Sequence, residues 1–304
     1  MISDKMITDV GIDGVQYGLA IDYQNHYELR QSFNRLTDSS FGFNLEDWYQ
    51  RGFWKENYIP YSLLHQDRVV SNISVNIIAF QIDNKEKLGI QLGTVMTDDN
   101  YRNRGLNRFI MELVLTEWKD HCDFIFLFAN DQVLNFYPKF NFEKVEEHQY
   151  SRKVDPVPAK KAWKKMNMDD QSDIAFVVDM IKNSVPISRI SMRDNTSLIM
   201  FYFLSFKKNN FYYVEQCNAI VVAEFAGDTL CLDDVFSPDL LDINEVTKTI
   251  SDAKIIRVVL GFTPLDTSGW DSHIVDGADT LFMLKDQKAL PEDQKWMFPV
   301  LSHA

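Results

Sequence analysis

Residues 101–109, YRNRGLNRF, set a glycine among arginines at the point where an extended apolar run gives way to an amphipathic helix. Leu106, Phe109, Ile110, Leu113, Val114 and Trp118 recur at the spacing of one helix face. The first turn of any helix carries unpaired N–H groups and a partial positive charge, which suits it to a phosphate. Gly105 lets the backbone come close to an anion because it has no Cβ, and Arg102 and Arg104 add charge to the same spot. Taken alone, the glycine fits a tight turn with solvated arginines at least as well. Neither GxxxxGK[ST] nor, at this junction, GxGxxG occurs, which disfavours P-loop and dinucleotide folds.

The elements that must position this junction read as a mixed sheet with helices on its faces, an α/β (α+β) architecture. YGLAID suggests a strand, HYELRQSFNRLTDSSFG a helix, and NLEDWYQRGFW a second helix capped by Asn44. In YSLLHQDRVVSNISVNIIAFQID, Ile73, Val75 and Ile77 alternate with Asn72, Ser74 and Asn76, the period of a strand. LGIQLGTVMT and DFIFLFAN are further strands, followed by a brief helix DQVLNFYPKF and one strand NFEKVEEHQY. A linker, SRKVDPVPAKKAWKK, divides the chain into residues 1–153 and 154–304. Beyond it come a helix DQSDIAFVVDMIKNS, strands SLIMFYFLSF, NFYYVEQ, NAIVVAEFAG, TLCLDDVF and KIIRVVLGF, and a helix DINEVTKTISD. The order repeats that of the first half, so a duplicated architecture is expected.

Composition narrows the function classes. The chain has 304 residues, of which 45% are hydrophobic, enough to fill two cores. No leader-like apolar segment and no span-length apolar run is present, so a cytoplasmic protein with no membrane partner is expected. A formal net charge of -13 argues against nucleic acid, since like charge repels phosphate, and is compatible with a cationic substrate. Cys122, Cys217 and Cys231 lie far apart and the histidines show no ligand spacing, so neither disulfides nor a metal is expected.

The junction RNRGLN resembles the [Q/R]-x-x-G-x-[G/A] signature of the GNAT superfamily of acetyl-CoA-dependent N-acetyltransferases, matching at Arg102 and Gly105 and departing at Asn107. FYPKFNF is similar to that family's FYxKxGF, with Asn141 in place of glycine. The resemblance spans about residues 65–150 and implies a GNAT-like fold with acetyl-CoA as co-substrate and a small-molecule or peptide amine as acceptor. It further implies that amides of Arg102, Asn103, Arg104, Gly105, Leu106 and Asn107 hold the pyrophosphate. Val95, Met96 and Thr97 would pair with the pantetheine arm, Asn130 would touch the coenzyme, and Tyr137 would protonate the departing thiolate.

The general base is less defined. The strand before the junction offers only Gln91 where many relatives carry glutamate, and Asp98 and Asp99 read as solvated loop carboxylates. The apolar ending FPVLSHA suggests a docked tail, and by analogy with multidomain aminoglycoside-acetylating relatives the Ala304 carboxylate, with His303 beside it, would deprotonate or orient the amine. In the second half SPDLLDINEV occupies the junction position without glycine and with Asp239 and Asp242, which would repel a pyrophosphate, so this half reads as a degenerate copy. Phe41, Phe43, Trp48, Tyr49, Phe53 and Trp54 read as core more readily than as an acceptor pocket. Two alternatives stay open: a non-catalytic acyl-CoA-binding or interaction module, and a mixed-sheet protein without coenzyme.

Overall fold

The computed structural model describes residues 7–158, 163–277, 279–285, 287, 290–291 and 295–303. Its first half runs β1 (Ile7–Ile12), β2 (Val15–Ile21), α1 (Tyr27–Phe41), α2 (Glu46–Gln50), β3 (Tyr58–His65), β4 (Arg68–Ile82), β5 (Lys85–Thr97), α3 (Leu106–Trp118), β6 (Phe124–Asn130), β7 (Phe142–Lys144) and β8 (His148–Lys153). The second half follows with β9 (Trp163–Lys165), α4 (Gln171–Lys182), β10 (Ile190–Met192), α5 (Thr196–Leu204), β11 (Phe211–Val214), β12 (Ala219–Ala226), β13 (Thr229–Phe236), α6 (Ile243–Ile250), β14 (Arg257–Leu260), β15 (Asp271–Ile274) and β16 (Asp279–Leu284).

The two sheets share a plan and exchange strands. The first has the order β1-β2-β3-β4-β5-β6-β16-β7, with β10 also on β4; the second has β15-β8-β14-β13-β12-β11-β9. Each contains one parallel pair, β5 with β6 and β13 with β14, in otherwise antiparallel surroundings. Beyond each pair lies a strand donated by the opposite half: β16 pairs with β6 and β7 in the first sheet, and β8 pairs with β14 and β15 in the second. Sheet membership therefore does not follow the chain order across residue 153.

Three cores follow from this stacking. The helix α3 covers one face of the first sheet through Leu106, Ile110, Met111 and Val114. The second sheet buries Val246 and Ile250 of α6. The largest core lies between the halves and gathers α1, α2, α4, α5, faces of β4 and β6, and the C-terminal segment. Its aromatic centre is Phe298, stacked on Phe126 at 4.5 Å between ring centroids. Trp48 and Trp54 are buried in the same core, as their spacing suggests, while Phe41 remains 43% exposed.

Three sequence expectations are corrected. SLIMFYFLSF is the helix α5, not a strand: Asn195 caps it by accepting from the Leu198 N–H, and it is buried nearly all round, so no polar stripe marks its period. NFEKVEEHQY is two strands, β7 and β8, which part company into different sheets. DQVLNFYPKF yields only a 3-10 turn, Tyr137–Phe140, closed by Asn141 at φ 67, a left-handed position that asparagine tolerates in place of glycine. A hairpin turning at Asp13 and Gly14, both at positive φ, adds β1 ahead of β2, the strand expected at YGLAID.

Candidate active site

Strand β5 pairs with β6 only from Gly89 to Gln91, opposite Phe124 to Phe126. Past that point no backbone hydrogen bond joins residues 92–97 to β6 among the described residues, so the two strands open into a cleft. The register of β5 against β4 shifts between Asn72 and Ser74, so that three steps on β5 span two on β4. The bulged stretch includes Thr94 at φ 41. Val95, Met96 and Thr97 thus lie on the free edge of the cleft, where an extended chain could pair with them.

At the end of the cleft the backbone turns through a 3-10 segment, Asp99–Tyr101, and enters α3 through Gly105 at φ 74, with no side-chain cap on the helix. Asn103 is also left-handed, at φ 61. Alternating left-handed residues of this kind turn successive N–H groups toward one spot. Among the described residues no acceptor takes the N–H groups of residues 102–108, whereas Tyr101 and Phe109 on either side are bonded. The cradle is thus four or more free donors at the positive end of a helix.

The arginines are tethered rather than free. Arg102 pairs with Asp99 at 2.7 Å, and Arg104 donates to the Asn100 carbonyl at 2.8 Å while lying over the Tyr101 ring. Asp99 is 81% exposed, but Asp98 is only 18% exposed and is held by Arg68. Asn107, at the position where glycine or alanine is expected, turns its side chain inward and accepts from Ser71 Oγ at 2.9 Å, which keeps its bulk away from the helix mouth.

Tyr137 is 4% exposed and packs against Phe142 and Phe282. Burial pushes its phenol up to about 12, so it is fully protonated at neutral pH. Asn130 ends β6 in an exposed position and its Oδ1 accepts from the Gln132 N–H.

The C-terminal segment is docked, as its apolar residues suggest. Phe298, Leu301 and Ser302 are completely buried. Tyr202 donates to the His303 carbonyl, and the His303 ring stacks on Phe128 of β6 at 3.5 Å between centroids. Its Nε2 is buried without a partner among the described residues, and desolvation pulls the imidazole down to about 3, so it is neutral. The segment therefore brings His303 against β6 at Phe128, two residues past Phe126, the last residue paired with β5. Ala304 itself lies outside the described residues.

The second half repeats the cleft and fills it. Strand β13 pairs with β14 only as far as Leu232 and Leu260, and its register against β12 shifts to leave Asp233 bulged. Here the tail enters: the Val300 N–H donates to the Gly261 carbonyl at 2.9 Å, and the Met297 N–H donates to Thr263 Oγ1 at 2.8 Å. A Cβ on Gly261 would stand 2.7 Å from Val300 Cγ2 and 2.9 Å from the Asp233 backbone. The helix that follows, α6, is capped by Asp242, whose Oδ1 accepts from the Asn244 N–H at 2.8 Å. A carboxylate thus occupies the place that the cradle of α3 leaves to an anion.

Sequence reasoning did not single out Thr94, Asn72, Phe128 or Tyr202. Asn72 entered the sequence reading only as part of the polar alternation that marks β4 as a strand; here Asn72, Ser74 and Asn76 are all buried. Among the described residues no group of three or more His, Cys, Asp or Glu side chains is arranged to hold a metal, and no helix is long and apolar enough to cross a membrane.

Comparison with known proteins agrees with this geometry. A family model described as an acetyltransferase (GNAT) domain matches residues 25–145. No curated protein matches the sequence. Among solved structures, a GCN5-related N-acetyltransferase from Kribbella flavida is 16% identical, with a TM-score of 0.53, over 87% of this chain and 71% of that one. A conserved Enterococcus faecalis V583 protein described as a probable N-acyltransferase is 12% identical over 91% of this chain and 71% of its own, with a TM-score of 0.54. Eis1 from Mycobacterium abscessus is 12% identical over 86% and 72%, with a TM-score of 0.51. The likeness is one of fold, and it extends over both halves.

Proposed function

We propose that this chain, whose residues 25–145 match a family model described as an acetyltransferase (GNAT) domain, is an acyltransferase that moves the acetyl group of acetyl-CoA to a primary amine of a small molecule or peptide. The observation that carries the reading is the conjunction of the open β5–β6 cleft with the uncapped mouth of α3. Amides of residues 102–107 hold the pyrophosphate, and the free edge at Val95, Met96 and Thr97 aligns the pantetheine arm. The amine nitrogen attacks the thioester carbonyl, forming a C–N bond; the C–S bond then breaks, and Tyr137 returns a proton to the sulfur. The Ala304 carboxylate takes the proton from the amine. Residues 1–153 and 154–304 act as tandem GNAT-like halves, of which the second is degenerate and serves as the holder of the tail. The free state of Cys122, Cys217 and Cys231 supports a cytoplasmic site of action.

Tyr137→Phe tests the reading. With acetyl-CoA and an amine panel, thiol release should fall on the order of a hundredfold while coenzyme affinity stays within about twofold. Saturable binding with no turnover in the parent chain for any amine would instead leave a non-catalytic acyl-CoA-binding module.

A further inference from the structure

Thr94 is out of place on conformational grounds. Every other non-glycine residue with positive φ among the described residues is Asp or Asn, whose short side chains tolerate that region, or the unbranched turn residue Gln66, whereas Thr94 is β-branched and sits at φ 41. A β-branched residue does not rest there without being held. The hold is visible: the buried Asn72 amide donates from Nδ2 to the Thr94 carbonyl and to Thr94 Oγ1, each at 3.0 Å. Thr94 Oγ1 donates in turn to Ser74 Oγ at 2.7 Å, and the Tyr58 hydroxyl lies 3.1 Å from it. On its other side Asn72 Oδ1 accepts from Ser62 Oγ at 2.8 Å, and Ser62 meets the Tyr23 hydroxyl. Tyr58 packs edge-on against Trp48 and Trp54, which ties the network to the core between the halves.

The held residue sits where the cleft begins, three positions after the last β5–β6 pair at Gln91. The corresponding bulge of the plugged cleft is secured otherwise: Asp233, which is not at positive φ, pairs with Lys207 at 2.9 Å. A clamp on a strained threonine therefore belongs to the open cleft alone.

We propose that Asn72 is a positioning residue of the acyl site: it locks the Thr94 bulge so that the β5 backbone just after it faces the thioester carbonyl rather than a strand. This rests on the function proposed above. Locking matters because a donor aimed in advance at a developing oxyanion needs no reorganisation during reaction. Glycine adopts positive φ without strain, so Thr94→Gly should make the clamp dispensable.

The test compares the parent chain, Asn72→Ala and Asn72→Ala/Thr94→Gly. Turnover should fall at least about tenfold in Asn72→Ala, by the measure of one lost oxyanion contact, and return to within about threefold in the double variant. Calorimetry should show acetyl-CoA affinity falling more than free CoA affinity in Asn72→Ala, since both forms share the pantetheine edge and only one carries the acyl group. Amide exchange across residues 93–97, measured without ligand, should quicken in the single variant and slow again in the double. If Asn72→Ala does not fold, Tyr58→Phe, which removes one hydrogen bond to Thr94, should give the same signs at smaller size. Equal loss of CoA and acetyl-CoA affinity, unchanged turnover, or no rescue by Thr94→Gly would overturn the clamp. A parent chain that binds neither CoA form would remove the acyl site while leaving the exchange result to judge the clamp separately.

Discussion

The two clefts of this molecule start from one plan and end as opposites. Each opens where a parallel pair stops, at Gln91 in the first sheet and at Leu232 in the second, and each lies beside a bulged strand that leads into a helix. In the first, Gly105 leaves the helix mouth uncapped and the amides of residues 102–108 unpaired. In the second, Asp242 caps the helix and the chain's own residues 297–300 bond into the gap at Gly261 and Thr263. The difference teaches that a ligand site on this fold is made as much by what is withheld as by what is supplied. A missing cap side chain and an unoccupied strand edge distinguish a cradle from a scaffold.

The sharpest way to collapse the distinction is to spoil the open cradle. Gly105→Val forces a β-branched residue to φ 74, so it should lower the melting temperature without ligand and, beyond that, weaken acetyl-CoA at least tenfold, about 1.4 kcal/mol or more, in a thermal-shift titration. Disturbing the plug should act on the opposite quantities. Gly261→Val places atoms against Val300 and the Asp233 backbone, and should cost about 1–3 kcal/mol of stability by overpacking. Turnover should fall in the same variant while acetyl-CoA affinity holds; affinity falling in step with turnover would mean that the tail does not act through the acceptor side.

The smallest effect concerns the tail's anchor. Glu147 is 7% exposed, accepts from the Phe298 N–H at 2.8 Å, and is pushed up to about 7 by burial. An acid whose folded value exceeds its unfolded value near 4.3 prefers the protonated, folded state, so its contribution is complete below about pH 4.3 and declines as pH rises toward 7. Glu147→Gln should flatten that decline, being more stable than the parent at pH 8 and equal to it at pH 4. Asp234, also pushed up to about 7 by burial, titrates in the same window and should leave part of the slope in place. An unchanged slope in the variant would remove Glu147 from the account.

Local signals were legible and distant ones were not. The amphipathic period of α3 and the glycine before it could be read from residues 101–118, and the apolar tail could be read as docked, because each depends on near neighbours. The helix α5 was hidden because burial on every side erases periodicity. The exchange of β8 and β16 could not be read, since a strand's sequence records which faces it buries and not which half of the chain receives it. The Thr94 bulge carried one faint local mark, Gly93 inside the strand, but its stabilising partner, Asn72, lies on the neighbouring strand.

The most direct test of two clefts with opposite fates is the stoichiometry of acetyl-CoA binding to the full chain by isothermal titration calorimetry. One mole per mole, abolished by Gly105→Val, is the expected result. Two moles would show that the tail does not close the second cleft, and none would show that the open one is not a coenzyme site.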